Sequence, residues 1–234
     1  MFGQEVDQVI EDRFRSARTL LTLIKSMESD SLPPVNTDEV KILRGLFFVH
    51  LYGAFEKSVT DTVQAYLRKL AEIELASCHV GFEMWPSAFD NYFRSLQTVQ
   101  GKGGWAKRRE FATLLQSEDM CPINEGLFSD RLQNVRPDVL IDILGYLGLS
   151  VQIVGDDVAF ALTEVVEKRN QVAHGRADPK AIGANSTSGQ LEARFHSLYE
   201  LARSLIDSMR LQLAEFSFIK EAYRSKYREK LLAD

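Results

Sequence analysis

Cysteine is scarce in this chain of 234 residues: there are two, Cys78 and Cys121, and no Cys-x-x-Cys pair. Neither a disulfide scaffold nor a zinc knuckle is supported, and a reducing compartment, the cytoplasm, is the expected location. Long apolar runs are missing as well. The longest uncharged one, residues 45–55, is far short of the roughly 20 residues that cross a membrane, so no membrane partner is expected. Glu5 and Asp7 interrupt the N-terminus before any apolar core forms, so no signal peptide is expected there. Positive charge is not in excess either. The net charge of −5 gives no global pull toward nucleic acid, and any such site must be a local basic patch on an acidic body. The glycines of Gly101-Lys102-Gly103-Gly104 do not make a phosphate-cradling loop, because their spacing is wrong and no Ser or Thr follows the lysine. No internal repeat or low-complexity tract occurs.

What is present is ordinary globular composition, 45% apolar and 26% charged, with a strong helical period. Residues 2–29 place Val6, Ile10, Phe14, Ala17, Leu21, Ile24 and Met27 at steps of three and four, and Pro33-Pro34 ends that helix. Asn36 followed by Glu39 predicts a capping box and a second helix running to about Leu75. Its part 46–55 is apolar on nearly every side, which predicts the buried centre of a bundle. Residues 76–135 are the least regular. A short helix is expected from Trp85 through Gln97, a flexible loop over 100–105 and a helix over 106–116, with turns from Cys121 to Asn134. A short helix is expected over 138–147 and an extended loop over 149–154. A helix capped by Asp156-Asp157 then runs to His174. Residues 176–189 read as a flexible loop, and a final long helix runs from about 190 to 230. The fold class is all-α. One domain spans 1–234, with 76–135 as a partly helical insertion, because no linker separates two cores.

Three groups of residues stand out. Glu56 interrupts the apolar stripe Phe48, Tyr52, Val59, Val63, and an ionised carboxylate there is costly unless paired. It either forms a structural ion pair with an arginine of a neighbouring helix or orients Arg169 or His174. His50, on the same helix, is expected to be a satisfied core residue. Lys102, Trp105, Lys107, Arg108 and Arg109 mix cations with an aromatic ring, which suits backbone phosphates and a stacked base, or equally a solvated helix face. The basic-aromatic end, Tyr223 to Lys230, is accounted for by the preference for cations at a helix C-terminus.

The third group is Arg169-Asn170-Gln171-Val172-Ala173-His174-Gly175-Arg176. Arg169 offers a planar fork of donors that fits two phosphate oxygens. His174 exchanges a proton near neutral pH. Gly175 is suited to a left-handed helix cap, which puts His174 in the last turn. Arg169 and His174, five positions apart, lie about 140° apart on a regular helix, whereas Asn170 and His174 share a face.

This motif, Arg-polar-x-x-x-His followed by Gly, resembles that of the HEPN superfamily. The helix segment 46–58, with Phe48, Tyr52 and Glu56, is similar to an early helix of its bacterial defence-associated RiboL-PSP and MAE-28990-like groups. The resemblance implies a HEPN-like helical bundle and a homodimer whose paired motifs line a cleft. It also implies metal-independent endoribonuclease activity, without a cofactor, that leaves a 2′,3′-cyclic phosphate. Arg169 and His174 would be catalytic, with Asn170 and Glu56 supporting. Lys168 and Arg176, cations beside the motif, are separate candidates for contacting RNA. The implied setting is a toxin–antitoxin or phage-defence system, with a neutralising antitoxin protein as partner. Metal-free cleavage needs a base for the 2′-hydroxyl, a cation for the phosphorane and an acid for the leaving 5′-oxygen. One histidine and one arginine are thin for that, and two copies around one phosphate would suffice. A non-catalytic RNA- or nucleotide-binding module and a dimerisation adaptor are the alternatives.

Overall fold

The computed structural model describes residues 4–29, 31, 34–99 and 101–233. Among these there is no strand, only the isolated bridges Ala76–Met120 and Val80–Ile219. The helices are α1 (Gln4–Ser26), α2 (Asp38–Glu72), α3 (Trp85–Ala88), α4 (Asp90–Thr98), α5 (Gly101–Leu114), α6 (Pro137–Tyr146), α7 (Asp156–Ala173), α8 (Pro179–Ala184), α9 (Ser188–Glu215) and α10 (Arg224–Ala233). The all-α bundle expected from the periodicity is what forms.

The 35 residues of α2 make a rod about 50 Å long, and α1, α7, α8 and α9 pack along it. Phe47, Phe48, Leu51, Tyr52, Phe55, Val59, Val63 and Tyr66 are all buried. They join Phe14 and Ile24 of α1 and Phe195, Leu198 and Leu205 of α9 in the core. The cap of α2 differs from the capping box expected at Asn36. Thr37 takes the Val40 amide, while Asn36 accepts from the Ser29 amide at 3.1 Å and ties the α1–α2 connection. The run 46–55 is not buried all round, as its composition suggested. Leu46 is 40% exposed. With Arg13, Ser16, Val49, His50, Gly53 and Lys57 it lines a surface groove of about 520 Å³. His50 is a surface residue, not a core one, and its ring meets the Ser16 hydroxyl at 3.1 Å.

Several segments come out differently from expectation. Residues 101–105 begin α5 instead of looping, and a Cβ at Gly103 would lie 2.9 Å from Val99 Cγ1. Residues 149–154 contain a 3₁₀ turn over Val151–Ile153, and the 85–97 helix is split into α3 and α4 at Phe89. Most consequential, residues 176–189 hold α8, docked on α2. A Cβ on Gly45 would lie 2.0 Å from Pro179 O, and one on Gly183 would lie 1.7 Å from Lys41 O. Two glycines facing each other let the backbones touch. Around this seam Lys180 pairs with Asp38 at 2.6 Å, and buried Arg44 donates to Ser186 O at 2.9 Å and to Glu28 at 2.5 Å.

The last helix does not continue to 230. It stops at Glu215 because Phe216 adopts a left-handed conformation (φ +54°), placing Phe216 and Phe218 in the core, and α10 follows a turn. No described helix is long and apolar enough to cross a membrane.

Candidate functional site

The stripe that carries Glu56 on α2 faces the C-terminal half of α7, and that packing builds the site. Tyr52 is fully buried, and its ring forms the floor. The Arg169 guanidinium lies over it, 4.7 Å from the ring centroid, where the negative π face stabilises the charge. The Tyr52 hydroxyl donates to Glu56 at 3.2 Å and lies 3.4 Å from Asn134 Oδ1, so the end of the 76–135 segment also reaches the floor.

Arg169 and Glu56 are 4.0 Å apart, each about one-quarter exposed. That is an outer-limit ion pair and too long for a hydrogen bond. Burial therefore pushes the Glu56 carboxyl above the usual carboxylate range, and Arg169 and Tyr52 offset this only in part. The Tyr52 hydroxyl is driven well above its ordinary value, first by burial and then by the neighbouring Glu56 charge. Arg169 donates to Asn170 Oδ1 at 2.7 Å, its one hydrogen bond to a described residue. A guanidinium has five N–H donors in a planar fork, so most of this one's remain uncommitted.

The end of α7 has a specific geometry. Gly175 sits at φ +64°, its amide donating to Val172 O at 3.1 Å, and the Arg176 amide donates to Gln171 O at 2.8 Å. These two bonds make a Schellman cap. His174 at φ −93°, ψ 7° leaves the regular helical path. Its ring is exposed and makes no hydrogen bond, ion pair or ring contact with a described residue.

The structure thus brings Arg169, Asn170 and Glu56 together, with His174 at the end of the same helix. The flanking cations differ. Lys168 is engaged by Glu164 at 2.6 Å and the Ser186 hydroxyl at 3.3 Å, and it lies over Phe48. Arg176 is exposed on the cap. The second basic group stands apart, on α5, which packs on α4. There Trp105 is 71% exposed with Arg108 over its ring at 4.8 Å, Lys107 pairs with Glu110 at 2.7 Å, and Arg109 is exposed. The Lys102 side chain lies outside the described residues. No described hydrogen bond or ion pair links this group to Arg169 or His174.

Sequence reasoning missed Tyr52 and Asn134 as parts of the site. Tyr52 lies one helical turn before Glu56, and that spacing was the available signal. Asn134 had none, since only the folding of 76–135 brings it here.

No curated protein and no solved structure matches the chain. The family model described as RiboL-PSP-HEPN matches residues 10–211, which takes in α2, the 76–135 segment, the Arg169–His174 motif and most of α9. The chain belongs to the RiboL-PSP-HEPN family.

Proposed function

We propose that this protein is a metal-independent endoribonuclease whose active site is shared between two copies of the chain. The observation that carries the reading is Arg169: a guanidinium held flat on Tyr52, with most of its donors uncommitted, in a position open to solvent. A structural arginine would have them bonded, as Arg44 does. In the reaction a ribose 2′-oxygen loses its proton to a base and attacks phosphorus. Arg169 stabilises the charge on the phosphorane. The P–O5′ bond breaks as the leaving oxygen takes a proton, giving a 2′,3′-cyclic phosphate and a 5′-hydroxyl. His174 does one proton transfer, and the partner copy's equivalent ring does the other. The second copy would sit against the exposed side of α2 that carries Leu46 and Gly53. Regulated RNA cleavage of this kind suits a toxin–antitoxin or phage-defence role, with a neutralising protein as the third partner.

The test is incubation of the protein with structured and single-stranded RNA in EDTA. Cyclic-phosphate ends are expected, with loss of about 10²–10⁴-fold in His174→Ala. Arg169→Ala should lose a transition-state contact worth about 3–4 kcal/mol. Mixing wild type with His174→Ala should lower cleavage roughly as the square of the wild-type fraction, since a mixed dimer holds only one of the two imidazoles that the proton transfers need. Intact RNA throughout, or full activity in His174→Ala, would overturn the proposal. RNA binding that needs Arg169 but not His174, without cleavage, would instead make this a binding module.

A further inference from the structure

The segment after α2 holds a second convergence of reactive groups, beyond the far end of that helix from Arg169. Tyr52 and Glu72 are separated by twenty residues of helix, about 30 Å. His79 is almost fully buried (1% exposed), unusual for a residue in a short 3₁₀ turn. Its ring is fixed on two sides. Tyr223 stacks on it at 3.8 Å between centroids, and the Tyr227 hydroxyl, which also takes the Ala76 amide at 3.0 Å, meets Nδ1 at 2.8 Å. The basic-aromatic C-terminal end is therefore a clamp on this ring, which holds its plane and aims Nε2 outward.

Nε2 points at Glu118 Oε1, 3.3 Å away, and Cys78 Sγ approaches the same oxygen at 3.5 Å. All three donor atoms lie within 4.8 Å of one another. A tetrahedral zinc ion takes sulfur at about 2.3 Å and nitrogen and oxygen at about 2.0–2.1 Å, which sets donor–donor edges of about 3.3–3.6 Å. The Nε2–Oε1 and Sγ–Oε1 separations match the N–O and S–O edges of such a tetrahedron. The third, Sγ to Nε2, lies within 4.8 Å. Ligating histidines characteristically have their other ring nitrogen hydrogen-bonded, as Nδ1 is here.

We propose that Cys78, His79 and Glu118 bind one divalent, zinc-like cation, with the fourth position open to water. On binding, the Cys78 thiol gives up its proton to solvent as the S–metal bond forms, so one proton is released per ion. Glu118 is exposed (69%), so the carboxylate side of the site faces solvent. Lys226, 3.8 Å from Glu118 Oε2, competes for the carboxylate. The site joins the start of the 76–135 segment, the loop after α5 and, through Tyr223 and Tyr227, the C-terminal helix. It is independent of the ribonuclease reading.

The experiment is a titration of the full chain with cobalt(II), then zinc(II). A thiolate-to-cobalt charge-transfer band with tetrahedral ligand-field bands should appear at one equivalent and vanish on adding zinc. Zinc should also raise Tm and protect Cys78 from alkylation; Cys121, buried with its pKa pushed up to about 12, is silent in that assay. Cys78→Ser should abolish the band, and Glu118→Gln should weaken binding at least tenfold. Both keep the clamp intact, which His79→Ala does not. Lys226→Met should tighten binding. Absence of stoichiometric binding, or binding unchanged in both Cys78→Ser and Glu118→Gln, would overturn the site.

Discussion

Replacing Gly183 by alanine tests the contact that positions the chain leaving the Arg169–His174 motif. The added Cβ would lie 1.7 Å from Lys41 O, 2.7 Å from Lys41 C and 2.8 Å from Gly45 N. All three are backbone atoms of α2, so none can rotate away. Restoring an ordinary C···O separation of about 3.3 Å requires α8 to recede by roughly 1.5 Å. A gap of even 0.5–1 Å forfeits about a quarter to a half of the dispersion well along the seam. Alanine gains up to about 1 kcal/mol over glycine in helix propensity, but overpacking costs about 1–3 kcal/mol and sometimes more. The movement also pulls Ser186 O from buried Arg44 and Lys180 from Asp38. The expected net loss is about 2 kcal/mol, a fall in Tm of about 4–8 °C for a chain of this size. Gly145→Ala in α6, where nothing lies within 4 Å of the new Cβ, is the control and should be neutral or slightly stabilising. Thermal and urea unfolding measure the loss, and hydrogen exchange over residues 179–186 shows whether α8 undocks locally. Wild-type stability in Gly183→Ala, with α8 amides still protected, would refute the packing argument.

Two further outcomes follow from the floor of the site. Tyr52→Phe keeps the ring beneath Arg169 and loses only the hydroxyl contacts, so RNA cleavage should change little. Tyr52→Leu removes a cation–π contact worth about 0.5–2 kcal/mol, and kcat should fall about 2- to 30-fold. Equal losses in both would assign the effect to the hydroxyl instead. Glu56 has a folded-state pKa above its ordinary 4.5, so between those values the folded state holds more protons than the unfolded state. Stability attributable to Glu56 therefore falls as pH rises through that window, the reverse of a carboxylate in a strong ion pair. The Tm advantage of Glu56→Gln over wild type should grow from below pH 4.5 to neutrality; a flat or shrinking difference would show that Arg169 outweighs burial.

The amphipathic periods of α1, α2, α7 and α9 are local properties, set by side chains three and four residues apart. They were legible in the chain, and so were the glycine cap after His174 and the misfit carboxylate at Glu56. The Arg169 motif could be read because its residues are neighbours on one helix. Other features depended on partners distant in sequence. Residues 176–189 look like a loop by composition, yet α8 forms there because Gly183 meets Gly45 across a contact that no local pattern records. The break at Phe216 goes against the conformational preference of phenylalanine and is stabilised only by the core that receives Phe216 and Phe218. The floor of the site unites residue 52, residue 134 and residue 169, and the C-terminal tyrosines close over His79 from nearly 150 positions away. Periodicity carries the free energy of single helices and can be read locally. Close backbone approach and convergent polar groups depend on where whole helices come to rest, which only the tertiary structure decides.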